Sequence, residues 1–250
     1  MPRKTTQRRP GSCSSCTRTS GVYTQPSMFA DMSGGMPMHK MQRVRGGSVS
    51  RRGDVINSAI ELLGTRGEHA VTHNRVDAAA GVSRGTTSNY FRKRDALLLA
   101  ICTETQQRRL AAWDALFCPA GRNTPVTIAD LNQLLTRHII EATSTGTVAG
   151  VLARAHNALC VMAHYKPFLR DVLVASERQH RQQLHSALQA AAPSWMRWRT
   201  EVLASWIAAA TAQQFTAPTR EHACSRLGPL LDALAAAQAS AETPVLTGKD

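Results

Sequence analysis

Residues 78–91 read AAAGVSRGTTSNYF, and the way this stretch folds decides the molecule. Upstream, Thr72 has the N-cap chemistry for a short helix whose inner face is Val76, Ala79 and Ala80. Gly81 can take the left-handed conformation that ends it. Ser83 can then cap a third helix running to about Tyr90. That helix places Arg84, Thr86, Thr87 and Asn89 where a buried helix would carry Leu or Ile. Two helices joined by a tight glycine-containing turn, the second of them polar, form a helix-turn-helix pattern.

Before this pair, Val55, Ile56, Ala59, Ile60, Leu62 and Leu63 fall on one face of a first helix that ends near Gly64 to Gly67. A small core of Ile60, Leu63, Val71, Val76, Ala79, Val82 and Phe91 leaves the third helix free to present its other side to a DNA major groove. Arg84 can donate bidentately to guanine and Asn89 can pair with adenine. Thr86 and Thr87 can offer hydroxyls or methyls to base edges, and Gly85 permits close approach. Thr72, Ser83, Tyr90, Lys93 and Arg94 suit phosphate contacts, which fix orientation without reading sequence.

The rest of the chain is also helical. Of its 250 residues 43% are hydrophobic but only 5% aromatic, and Ala/Leu-rich segments separated by Pro and Gly imply an all-α fold with no strand alternation. A helix from Asp95 to Phe117 is followed by segments near 127–145, 147–165, 168–192, 194–216 and 220–240. The expected organisation is a basic, disordered tail at 1–50, a DNA-binding head at 51–95, a helical bundle at 96–240 and a tail at 241–250. The five methionines from Met28 to Met41 crowd the join, and a natural start between Met36 and Met41 is expected.

Net charge is +13, yet residues 1–52 carry 10 Lys or Arg against one acid, which leaves 20 basic and 16 acidic residues in the remainder. The basic excess is a tail property and points to a polyanion partner, nucleic acid ahead of membrane. The longest apolar run, Ala96 to Cys102, is far short of the ~20 residues that cross a bilayer. With no secretory signal and scattered cysteines, a cytoplasmic protein with free thiols is expected.

Residues Thr72 to Leu97 resemble the N-terminal domain of the TetR family of transcriptional regulators. The resemblance rests on Thr72 opening helix two, the turn Ala80-Gly81-Val82-Ser83, Gly85-Thr86 opening the reading helix, Phe91, and the run Arg94-Asp95-Ala96-Leu97. Two positions depart from it, since the family usually has Tyr where this chain has Ser88 and Ser where it has Lys93. The resemblance implies a homodimer bound to a palindromic operator, and a C-terminal bundle that takes a small-molecule ligand and pairs two copies. By position the pairing helices would be 168–192 and 194–216, the second presenting Val202, Leu203, Trp206, Ile207, Ala210 and Phe215 along one side.

The function expected is a sequence-specific DNA-binding regulator, a repressor released by its ligand. A non-specific architectural DNA-binding protein and an all-helical small-molecule-binding protein or enzyme are the rival readings. No HExxH, GxxxxGK[ST] or GxGxxG motif is present, and the one GxSxG string, residues 81–85, lies in the turn between two helices rather than after a strand, so no catalytic residues and no cofactor are expected. His156, Cys160 and His164 share a helix face, but the outer two lie ~12 Å apart, too far for one metal ion. They are read as polar lining of a core or pocket. Cys13 and Cys16 form a lone CxxC. Trp113, Trp195, Trp198 and Trp206 are read as packing residues, and no ligand-contacting residue is singled out.

Overall fold

The computed structural model describes residues 51–117, 127–214 and 220–237. The tails at 1–50 and 241–250, Cys13 and Cys16, the Met36 to Met41 start and Phe215 lie outside the described residues. Residues 48–250 form a unit of their own. In order come α1 (Arg51–Arg66), a 3-10 turn (Glu68–Ala70), α2 (His73–Ala80), α3 (Thr86–Tyr90), α4 (Arg94–Phe117), α5 (Ile128–Thr143), α6 (Val148–Met162), a second 3-10 turn (Pro167–Leu169), α7 (Arg170–Ala191), α8 (Arg197–Gln214) and α9 (Arg220–Ala236). There is no strand among the described residues, so the all-α reading holds. None of these helices is long and apolar enough to cross a membrane.

Local chemistry sets most boundaries. The Thr72 hydroxyl accepts from the Arg75 amide at the start of α2, and Gly81 ends it with φ 64°. Thr127 and Asp130 form a reciprocal capping box on α5, with bonds of 3.1 and 2.9 Å. Thr147 caps α6 through the Gly150 amide.

Two apolar clusters hold the bundle. The first joins the buried face of α1 to Val71, Val76 and Phe91, to Leu97, Leu98, Ile101 and Cys102 at the start of α4, and to Leu152, Ala155 and Leu159 of α6. The second gathers Trp113 at the far end of α4, Leu131, Leu135 and Ile139 of α5, Leu184 and Leu188 of α7, Trp195, Leu203 and Ile207 of α8, and Leu227, Leu231 and Leu234 of α9. Helix α4 runs through both. Between its two apolar ends lie the buried polar side chains Thr105 and Gln106 and the part-buried Arg109.

Three expectations about inward faces are corrected. Ala79 is exposed, and the buried neighbour of Val76 is Asp77. The α8 stripe divides, because Leu203, Ile207 and Ala210 are buried within this chain whereas Val202 is 44% exposed. Helix α3 begins at Thr86 rather than Ser83, for a reason developed below.

Helices α1 and α6 meet without a side-chain cushion at Gly64. A Cβ built there would stand 2.4 Å from the Val151 carbonyl oxygen, and the Gly64 carbonyl accepts from Arg154 Nε at 2.8 Å. Gly64→Ala should therefore force the helices apart. The strain outweighs the ~1 kcal/mol that alanine gains in helix propensity, for a net loss of about 1–3 kcal/mol in denaturant unfolding.

Candidate functional site

The turn between α2 and α3 is built on one carboxylate. Asp77, 2% exposed, accepts from the Gly85 amide (2.7 Å), the Thr87 amide (2.7 Å) and the Thr87 hydroxyl (2.5 Å). It caps α3 from the preceding helix, which is why the helix starts after Gly85 rather than at Ser83. Gly85 has φ 92°, a left-handed conformation that a side chain would strain. Burial pushes the Asp77 carboxyl up. The Thr87 and Gly85 bonds, with His73 nearby, outweigh this and hold it below the ordinary carboxylate value. At the other end of α3 the His73 ring Nε2–H donates to the Phe91 carbonyl at 2.7 Å.

This knot sorts the expected DNA contacts. Thr87 is fully buried with its hydroxyl committed to Asp77, so it does not face outward as expected. Arg84, Ser88, Asn89 and Tyr90 are exposed. Thr86 is half-buried and donates its hydroxyl to the Ser83 carbonyl at 2.6 Å. Gly85 belongs to the turn. Thr72, Ser83, Lys93 and Arg94 are exposed around the rim, although Arg94 also pairs with Glu68 (3.3 Å) and donates to its carbonyl, which pins the start of α4 to the first 3-10 turn.

A second site lies at the seam between the two apolar clusters, and sequence reasoning missed most of it. Arg109 of α4 donates through Nη1 to Gln106 Oε1 (2.9 Å) and to His156 Nδ1 of α6 (2.8 Å). A guanidinium only donates, so His156 accepts through Nδ1 and carries its proton on Nε2, which faces Cys160 Sγ at 3.5 Å. Ser176 of α7 lies 3.3 Å from Gln106 Oε1 and 3.4 Å from His180 Nδ1. The atoms His180 Nε2 and Gln106 Nε2 are buried and lack hydrogen-bond partners.

Arg109, His156 and His180 border a cavity of about 190 Å³. Trp113 meets His138 at 5.2 Å and His180 at 5.5 Å, edge to face, and Leu152, Leu184 and Ile207 complete an apolar wall. A wider open cleft of about 710 Å³ along α6, α7 and α8 shares His156, Glu177, Arg181 and Ala208 with it. Burial, then the Arg109 charge, pushes His138 down to about 4 and His180 down to about 3. His156 falls well below its ordinary value for the same two reasons, with His180 adding to them. Burial raises the Cys160 thiol, so it stays protonated.

Thus His156 and Cys160 do line a pocket. His164, four residues further on, is exposed and takes no part. Of the four tryptophans Trp113 borders the cavity, Trp195 is core, Trp206 is part-buried against the second cluster and Trp198 is 49% exposed. Cavity residues on five helices carry no shared period. Only the i, i+4 spacing of His156 and Cys160 signalled them.

The chain thus carries a helix-turn-helix head on a helical bundle with a polar internal cavity. Residues 55–101 match the model for bacterial regulatory proteins of the tetR family. Solved structures share the fold. A protein from Rhodococcus sp. assigned to the TetR-family transcriptional regulators is 21% identical with a TM-score of 0.58, covering 74% of this chain and 98% of that one. One from Mesorhizobium loti MAFF303099, with the same assignment, is 12% identical with a TM-score of 0.62, covering 75% and 96%. A regulator from Saccharomonospora viridis, in complex with choline, is 15% identical with a TM-score of 0.60, covering 73% and 95%. No curated protein matches this chain.

Proposed function

We propose that the protein is a homodimeric repressor that binds a palindromic operator and is released from it by a small molecule held in the bundle cavity. The observation that carries this reading is the course of α4. Its first turn is tied to the head by Arg94–Glu68, and Arg109 and Trp113, later in the same helix, border the cavity. From Asp95 to Arg109 is ~21 Å of continuous helix at ~1.5 Å per residue. A ligand that shifts α4 at the cavity moves the head, and the coupling is reciprocal, so DNA also weakens ligand binding. That the Saccharomonospora viridis protein of this fold was solved in complex with choline supports a small-molecule ligand for this chain.

In this reading residues 51–95 are the head and 96–240 the bundle. Arg84, Thr86 and Asn89 read bases over the Gly85 turn. Thr72, Ser83, Tyr90, Lys93 and Arg94 hold phosphates. Two copies pair through the free side of α7 and α8, where Val174, Trp198 and Val202 are 43%, 49% and 44% exposed. A self-complementary apolar face of this kind suits a two-fold interface.

Selection of bound sequences from random duplex DNA tests the whole reading. A palindromic winner is expected, and absence of any preferred sequence would refute it. On that winner Arg84→Ala should lose about 1–3 kcal/mol and relax one base position. Lys93→Ala should weaken all duplexes alike and lower the salt slope by about 1. Gel shifts across salt concentrations separate the two, and equal loss on cognate and random DNA would remove Arg84 from base reading.

A further inference from the structure

We propose that the cavity binds a small aromatic monocarboxylate, with the carboxylate on Arg109 and the ring among Trp113, His138 and His180. This rests on the reading of the cavity as the ligand site and adds the chemical class that the site takes.

The charge balance points to an anion. Both hydrogens on Arg109 Nη1 are spent on neutral acceptors, Gln106 and His156. No carboxylate lies in ion-pair range of Arg109 among the described residues. Glu177 lines the cavity and its charge acts on Arg109 through space, but its direct bond, at 3.0 Å, is to Arg181, which also takes Glu201. Glu141 borders the cavity from an exposed position. A part-buried cation without a directly bonded counter-charge is expensive to maintain, as the strong destabilisation on removing one partner of a buried ion pair shows. A ligand carboxylate would supply the missing partner in the forked geometry that guanidinium favours.

The polar atoms left over agree. His180 is 6% exposed and borders the cavity, its ring set against the Arg109 backbone, and no side chain bonds its Nε2. Gln106 is 3% exposed and its Nε2 donor is likewise unused beside Arg109. Burial and the guanidinium keep the histidines neutral, and the second guanidinium of the lining, Arg181, is already paired with Glu177 and Glu201, so the histidines add no cation that would need a further anion.

Size and shape narrow the body. At about 190 Å³ the space is below the ~300–1,000 Å³ of pockets for drug-sized ligands. Edge-to-face rings around Trp113 and the apolar side chains of Leu152 and Leu184 suit one flat ring rather than a long chain.

Calorimetric titration of the full chain with benzoate, benzamide and benzyltrimethylammonium tests this. Benzoate should bind about 10–100-fold more tightly than benzamide, the range expected for charged against neutral hydrogen bonding, and the ammonium ion should not bind. Arg109→Gln should reduce benzoate to the level of benzamide, and Arg109→Lys should keep part of the preference. If Arg109→Gln does not fold, the three probes on the native chain decide by themselves. Equal binding of benzoate and benzamide, preference for the cation, or no binding of any probe at millimolar concentration would overturn the assignment. Benzoate bound without loss of operator in a gel shift would defeat the release reading and leave the ligand class standing. Specific operator binding with no benzoate affinity would do the reverse.

Discussion

Asp77→Ala is expected to destabilise the protein by about 3–5 kcal/mol and to lower operator affinity at least ~10-fold. The carboxylate makes three short bonds to α3, two to backbone amides and one to a buried hydroxyl. Hydrogen bonds to a charged group contribute about 1.5–3 kcal/mol each, and removing one side strands the other buried and unsatisfied. Alanine strands two amides and the Thr87 hydroxyl together, which is a large share of the ~5–15 kcal/mol by which domains are stable. Asparagine would help little, because its NH₂ would face an N–H donor. Thr87→Val keeps the shape and removes only the hydroxyl bond, so it should lose about 1 kcal/mol. Helix α3 has only five residues and cannot hold itself. Without its cap it must be ordered by the DNA, and that ordering appears as lost affinity. Denaturant midpoints, gel shifts and amide exchange at Gly85 and Thr87 would read these effects. Unchanged exchange protection at Thr87 in Asp77→Ala would show that something else fixes the reading helix.

The same residue shows where sequence reading stops. On α1 six apolar positions fix the rotation of a 16-residue helix, and all six are buried as expected. Thr72 and Gly81 were legible because capping and left-handed turns are local chemistry. Helix α2 has eight residues and one large apolar side chain, Val76, so its rotation rested on choosing between Ala79 and Asp77. General polarity favours burying the alanine. The protein buries the aspartate, because its partners are backbone amides eight and ten residues ahead, which no periodicity displays.

The cavity was hidden for a related reason. Arg109, His138, His156 and His180 come from α4, α5, α6 and α7, and only packing brings them together. The α8 stripe was seen, but one helix face cannot say whether its partner belongs to the same chain. Leu203 and Ile207 found theirs within the bundle.

Lowering the pH from 7.5 to 5 should destabilise the fold by about 2–5 kcal/mol, through the cavity histidines. His138 and His180 are pushed down to about 4 and about 3, and His156 well below its ordinary value, in each case first by burial and then by Arg109. In the unfolded chain each titrates near ~6.5. Between those limits the unfolded state binds more protons than the native one, so stability rises with pH there and is flat above about 7. Each unit of separation is worth ~1.36 kcal/mol per group, so one histidine accounts for up to about 2 kcal/mol at pH 5. Asp77, whose carboxyl is held below its ordinary value of 3.8, adds its loss only at still lower pH, outside the range from 7.5 to 5. Melting curves across this range would show the slope. His138→Phe retains the ring against Trp113 and should remove about a third of it. A flat profile from pH 7.5 to 5 would mean that the histidines are hydrated or already charged. Arg109 would then be one cation among several, and the charge balance that selects a single carboxylate would no longer hold.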